Sequence, residues 1–212
     1  MNASPRWKRR PEGSTWGDFG ADDQLGRLNL LTPEKVRQGV AEVREGLSFC
    51  LSLPLDYPGG NALNPRRYPP VLRPTLRSKR PNMMLLHTGF DEVLLEMRKE
   101  PDAEVLRNSC AALNGRDPRL LDWITRSGLC ALIADNYAVE VFPSVRHAGC
   151  CAALPLHEHC LFKLGVNLGE LWQLSPLARW LREHQRYRFL LTAPPLRLPG
   201  AVGSPATPVA TV

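Results

Sequence analysis

The chain has 212 residues, 43% of them hydrophobic and 23% charged, which excludes a disordered chain and suits one good-sized domain. No apolar run approaches the ~20 residues of a membrane helix, and the basic start MNASPRWKRRPEG lacks the apolar stretch of a secretory signal. The net charge of +6 comes largely from an N-terminal arm and from Arg66, Arg67, Arg73, Arg77, Lys79 and Arg80; with no nucleic-acid motif beside them, they read as solvated charge.

Taken in chain order, TPEKVRQGVAEVREG predicts a helix from the N-cap Thr32 and Pro33 to Gly46, with Val36, Val40 and Val43 on one face. LSFCLSLPL follows at strand length. Residues 54–82 read as an irregular loop rich in Pro and Arg, long enough to be anomalous in one domain. MMLLHTG is strand-like, DAEVLRNSCAAL a weak helix, and DPRLLDWITRSG a helix capped by Asp117 and Pro118 and stopped at Gly128. LCALIADN predicts a buried strand. SPLARWLREHQ predicts a helix with Leu177, Trp180 and Leu181 on its apolar face, and YRFLLTAP and TPVATV close the chain as strands. This mixture predicts an α/β (α+β) domain around a largely buried sheet. The six cysteines form no CxxC pair and are expected as reduced thiols in a soluble, cytoplasmic protein with neither nucleic acid nor membrane as partner.

The chemistry-bearing stretch is LPLHEHCLFKLGVNLGELW, from Leu154. If it is helical, His157 shares a face with Cys160, Leu161 and Leu164 while His159 points elsewhere; if extended, His157 and His159 share one side. A histidine in such apolar company is either a hydrogen-bonded core residue or a metal ligand. Glu170, between Leu168, Leu171 and Trp172, needs a partner because an unpaired buried charge is costly; an arginine such as Arg197 or a metal would serve. Asp135 ends its strand where a site residue would sit, or simply starts a turn. His184 falls in the last turn of its helix, where a cation suits the dipole. No nucleophile–base pairing can be read from spacing, so the catalytic residue is unknown.

The segments WGDFGADDQLGRLNLLTPEKV, LSLPLD, LLHTGF, ADNYAVE, LPLHEHCLFKLGVNLGELW and RFLLTAPPLRLPGAVGSPATPVATV together resemble the cyclase family of metal-dependent hydrolases, which includes the kynurenine formamidases (arylformamidases) of tryptophan degradation. The resemblance implies one swivelling β/β/α domain over residues 1–212, homo-oligomeric assembly, and zinc or manganese ions that activate water to attack an amide or formamide carbonyl. It puts metal-ligating roles on His157, after Leu154-Pro155, and on Glu170. Asp135, from its place at a strand end, and His159, from its place beside His157, are expected as substrate-binding or site-supporting positions.

The family's HxGTHxDxPxH stretch, which supplies its main metal ligands and its acid/base histidine, has no counterpart here. In relatives it lies between segments like RPTLRSKRPNM and MLLHTGF, which in this chain join at Met83-Met84. The expectation is an incomplete domain with an internal deletion at the 83–84 junction and little or no hydrolase activity. The competing expectation is a non-catalytic remnant that serves as an oligomerisation or binding module.

Overall fold

A computed structural model describes residues 9–53, 83–144, 152–196, 198, 201 and 203–212. The loop expected at 54–82, Arg197 and His147 lie outside the described residues. In chain order the elements are a 3-10 turn (Gly26–Leu30), helix α1 (Pro33–Val40), strands β1 (Ser48–Cys50) and β2 (Met83–Leu86), and helices α2 (Phe90–Glu96), α3 (Ala103–Asn108) and α4 (Pro118–Ser127). Strand β3 (Ala131–Ala134) follows, then a helical turn α5 (Pro155–His157) that runs on as a π-helix (Glu158–Leu164). Strand β4 (Asn167–Gly169), helix α6 (Ser175–Glu183), and strands β5 (Leu190–Thr192) and β6 (Val209–Thr211) complete the chain.

Among the described residues, two three-stranded sheets organise these elements: a parallel sheet β2-β3-β4 and an antiparallel sheet β1-β6-β5. In the parallel sheet Met83 pairs with Ala131 and Ala131 with Asn167. All four residues of β3 are buried, and period-2 alternation sends them to different cores. Ala131 and Ile133 face a core shared with Leu51, Trp172, Leu177, Leu191, Ala210 and Val212, so that α6 and the antiparallel sheet cover this side. Leu132 and Ala134 face Ile124 of α4 and Leu156, Cys160 and Leu164 of the π-helical region. Burying each of these large aliphatic side chains contributes about 1.5–3 kcal/mol. Beyond the strands, an antiparallel bridge between Ser52 and Trp172 ties the segment after β1 to the segment after β4.

Most predicted elements are present, with four corrections: the expected central sheet is two sheets, α3 ends at Asn108 before Leu113, and α1 and α2 differ as follows. Helix α1 stops at Val40 instead of Gly46, and Val36 and Val40 are exposed. The backbone N–H of Gly46 donates instead to the Val212 carbonyl at 2.9 Å, a tertiary bond to β6's end that replaces further helical turns. Helix α2 was not foreseen: it follows Gly89, whose φ of 87° suits glycine, and buries Phe90 and Leu94 at i, i+4 spacing. By contrast, α4 keeps its expected caps, with Asp117 accepting from the Arg119 N–H at 2.8 Å and Gly128 left-handed at φ 72°.

The segment between the N-terminal arm and α1 straps the π-helix to α4. Thr15 N–H donates to the Lys163 carbonyl and its hydroxyl to the Leu164 carbonyl, each at 2.8 Å. Arg27, 5% exposed, donates to the carbonyls of Ile124, Thr125 and Leu129 at 3.0, 2.7 and 3.3 Å. A guanidinium there satisfies the orphan carbonyls at the end of α4 and complements the helix dipole.

Candidate functional site

Three acidic or basic residues follow directly on the three parallel strands: His87 after β2, Asp135 after β3 and Glu170 after β4. The carboxyl ends of parallel strands are where open α/β sheets gather ligands. Two polar clusters grow from this edge.

The first joins His87, Asp91 and Asp135, which bring one ligand atom each within 4.8 Å of one another. Asp135 is fully buried and gripped by the turn that follows β2. Thr88 N–H donates to both its oxygens (2.9 and 2.8 Å), the Thr88 hydroxyl to Oδ1 (2.8 Å) and Gly89 N–H to Oδ2 (2.7 Å). Burial raises its pKa despite these donors, and neighbouring Asp91 adds to the rise. Asp91, also fully buried, accepts from the Ser175 N–H at 2.9 Å and the Ser175 hydroxyl at 2.7 Å. His87 Nε2 is 2.7 Å from Ser175 Oγ, and Arg182 lies 3.1 Å from Nδ1. Because a guanidinium only donates, Nδ1 is the acceptor and the ring proton is assigned to Nε2, which donates to Ser175 Oγ. The residues are metal-ligating types, yet in this state their atoms are engaged in a network that ties the β2–α2 turn to the start of α6.

The second cluster is a line of three side chains. His157 Nδ1 is 2.9 Å from Glu140 Oε1, and its Nε2 is 3.1 Å from Glu170 Oε1. The side chains of His157, Glu140 and Glu170 are 17%, 1% and 7% exposed. Glu140 also accepts from the backbone N–H of Leu156 at 3.1 Å and of His157 at 3.0 Å, so it caps the start of α5. Burial opposes charge on His157, but the two carboxylates outweigh it and raise the pKa to about 9.

The sequence-derived site residues thus divide. His157 and Glu170 come together, and the partner of Glu170 is a histidine. Asp135 belongs to the first cluster. His159 turns to α4, with Nε2 2.9 Å from Thr125 Oγ1 and 3.0 Å from the Leu121 carbonyl, and burial lowers its pKa. The stretch is helical up to His157 and π-helical beyond, which modifies the expected face: Leu156, Cys160 and Leu164 are buried while Leu161 is half exposed. His184 caps its own helix as expected, with Nδ1 2.9 Å from the Trp180 carbonyl and its ring stacked on Trp180 at 3.9 Å. Glu140 and Asp91 were missed. The criterion that singled out Glu170, a carboxylate among apolar neighbours, applies equally to Glu140 in YAVEV.

No family model matches the sequence, and no curated protein does. Among solved structures, the chain is similar to a crystal structure described as a novel cyclase, at 24% identity and a TM-score of 0.60, covering 94% of this chain and 99% of that one. A structure described as a potential metal-dependent hydrolase with cyclase activity aligns over 43% of this chain and 36% of its own, at 22% identity and a TM-score of 0.29. The first likeness shows the fold: a mixed α/β arrangement similar to that of a cyclase.

Proposed function

We propose that the chain descends from the cyclase family of metal-dependent hydrolases, on its swivelling β/β/α plan, and that His157 and Glu170 hold a divalent cation, zinc or manganese. Its substrate class is the amide or formamide C–N bond, the arylformamidase type of reaction, with turnover low in this chain. The observation that carries this reading is the buried Glu140–His157–Glu170 line at the carboxyl edge of the sheet, within a fold shared with a cyclase. A cation bound there would supply Lewis acidity that activates water and polarises the carbonyl.

The donor chemistry fits as half a site. An imidazole nitrogen and a carboxylate oxygen converge from α5 and the end of β4, and both are shielded from solvent. Catalytic zinc, however, takes three protein ligands. Among the described residues, the group that brings three ligand atoms within 4.8 Å is His87, Asp91 and Asp135, not this one. Two ligands, and no HxGTHxDxPxH stretch in the sequence, support low turnover. The experiment is formate release from a formanilide-type substrate with zinc or manganese supplied. Release close to the buffer rate is expected; rapid release that a chelator abolishes would contradict the low-turnover part.

One observation favours a second reading, a non-catalytic module that assembles with itself. Both ring nitrogens of His157 have carboxylate partners, so the line is electrostatically complete without a cation. Leu161 and Phe162, 50% and 51% exposed on the π-helix, offer apolar surface for a second copy. A chain whose melting temperature ignores both zinc and chelator, and which elutes as a dimer, would favour this reading over the first.

A further inference from the structure

Glu140 is placed by an unusual amount of local structure. The two residues before it, Ala138 and Val139, have φ of 71° and 61°, a left-handed pair that a β-branched residue rarely adopts. The Leu113 N–H donates to the Val139 carbonyl and the Val141 N–H to the Leu113 carbonyl, at 3.2 and 2.9 Å, which fixes Glu140 from both sides. Opposite its carboxylate stands Gly115, where a Cβ would fall 1.9 Å from Oε2. The backbone is therefore bent, and a side chain omitted, around one fully buried carboxylate. Strain held at the two residues that present Glu140 points to a task for its carboxylate.

We propose that Glu140 is a positioning residue that orients the His157 ring for cation binding at Nε2. This rests on the reading of His157 and Glu170 as cation ligands. Glu140 accepts from Leu156 N–H, His157 N–H and His157 Nδ1, so backbone and ring of the same histidine are held by one group. With Nδ1 carrying a proton toward Glu140, Nε2 is the nitrogen left for a cation, and it is turned to Glu170. A carboxylate behind a ligating imidazole fixes tautomer and ring direction and makes the ring a stronger donor. A capping role alone would need only the two backbone contacts.

The test uses the full chain with zinc as the probe. Zinc affinity is measured by calorimetry for the wild type, E140Q and D117A, the last removing an N-cap on α4 unconnected to His157. The imidazole N–H signals of His157 are read by 15N-edited NMR on the metal-free proteins. E140Q is expected to lose about 10–100-fold in zinc affinity and the Nδ1–H signal, while D117A keeps both. Should E140Q not fold, E140D withdraws the carboxylate by one methylene and is expected to show the same losses. Zinc affinity in E140Q within twofold of wild type, with the Nδ1–H signal intact, would overturn the proposal. A wild type that takes up no zinc would overturn the ligand reading itself. The Nδ1–H signal then decides the positioning of the ring: lost in E140Q it stands, retained it falls.

Discussion

His157 Nε2 lies 3.1 Å from Glu170 Oε1, which couples the first turn of α5 to the end of β4. A histidine so placed, with a second carboxylate behind it, holds a proton strongly, and that proton has consequences for stability.

In the metal-free chain the His157 pKa is raised from 6.5 to about 9. Burial alone would lower it; the bonds to Glu140 and Glu170 outweigh that penalty. Because the folded value lies above the unfolded one, the stabilisation is complete below about pH 6.5. It is lost as pH rises through about 9. The full amount is at most on the order of 3 kcal/mol. Urea midpoints in chelator should fall from pH 6.5 to 9.5 in the wild type and fall less in H157Q. Equal slopes in the two proteins would contradict this.

The same proton competes with any cation. Nε2 must release it to bind zinc, so zinc affinity should rise about tenfold per pH unit up to about pH 9. A pH-independent affinity between pH 6 and 8 would contradict zinc binding at His157 Nε2.

Gly115→Ala sets a methyl group against the Glu140 carboxylate, 1.9 Å from Oε2 before relaxation. Overpacking of this kind costs about 1–3 kcal/mol, and here it also displaces the cap of α5. Equilibrium denaturation should show that loss; a change below about 0.5 kcal/mol, the size of an ordinary surface substitution, would mean that the carboxylate moves aside freely.

Asp135→Asn replaces an acceptor that serves Thr88 and Gly89 with a group that itself donates. Leaving buried N–H donors unsatisfied costs about 1–3 kcal/mol each, so a loss of at least about 2 kcal/mol is expected by the same measurement. A neutral outcome would show that the turn after β2 does not depend on this clamp.

Much of the fold was legible in the sequence because it is written locally. The Asp117-Pro118 start and Gly128 stop of α4 and the apolar run of β3 depend on near neighbours, and both are present. What was not legible depends on distant contacts. Helix α1 ends early because Gly46 bonds to Val212, and α2 exists because Phe90 and Leu94 find Leu53 and Leu106. At the site, His157 and Glu170 were singled out from their apolar company, but their mutual contact spans 13 positions and needs the π-helix and β4 to close it. Glu140 reaches His157 from 17 positions away through a left-handed backbone pair, which no spacing rule anticipates.

The central claim is that His157 and Glu170 bind a divalent cation, and its most direct measurement is metal content. The chain is purified, incubated with zinc, dialysed, and counted by elemental mass spectrometry beside H157A and E170Q. About one zinc per chain is expected in the wild type, with a marked loss in both variants. Zinc retained equally in all three, or absent from all three, would contradict it.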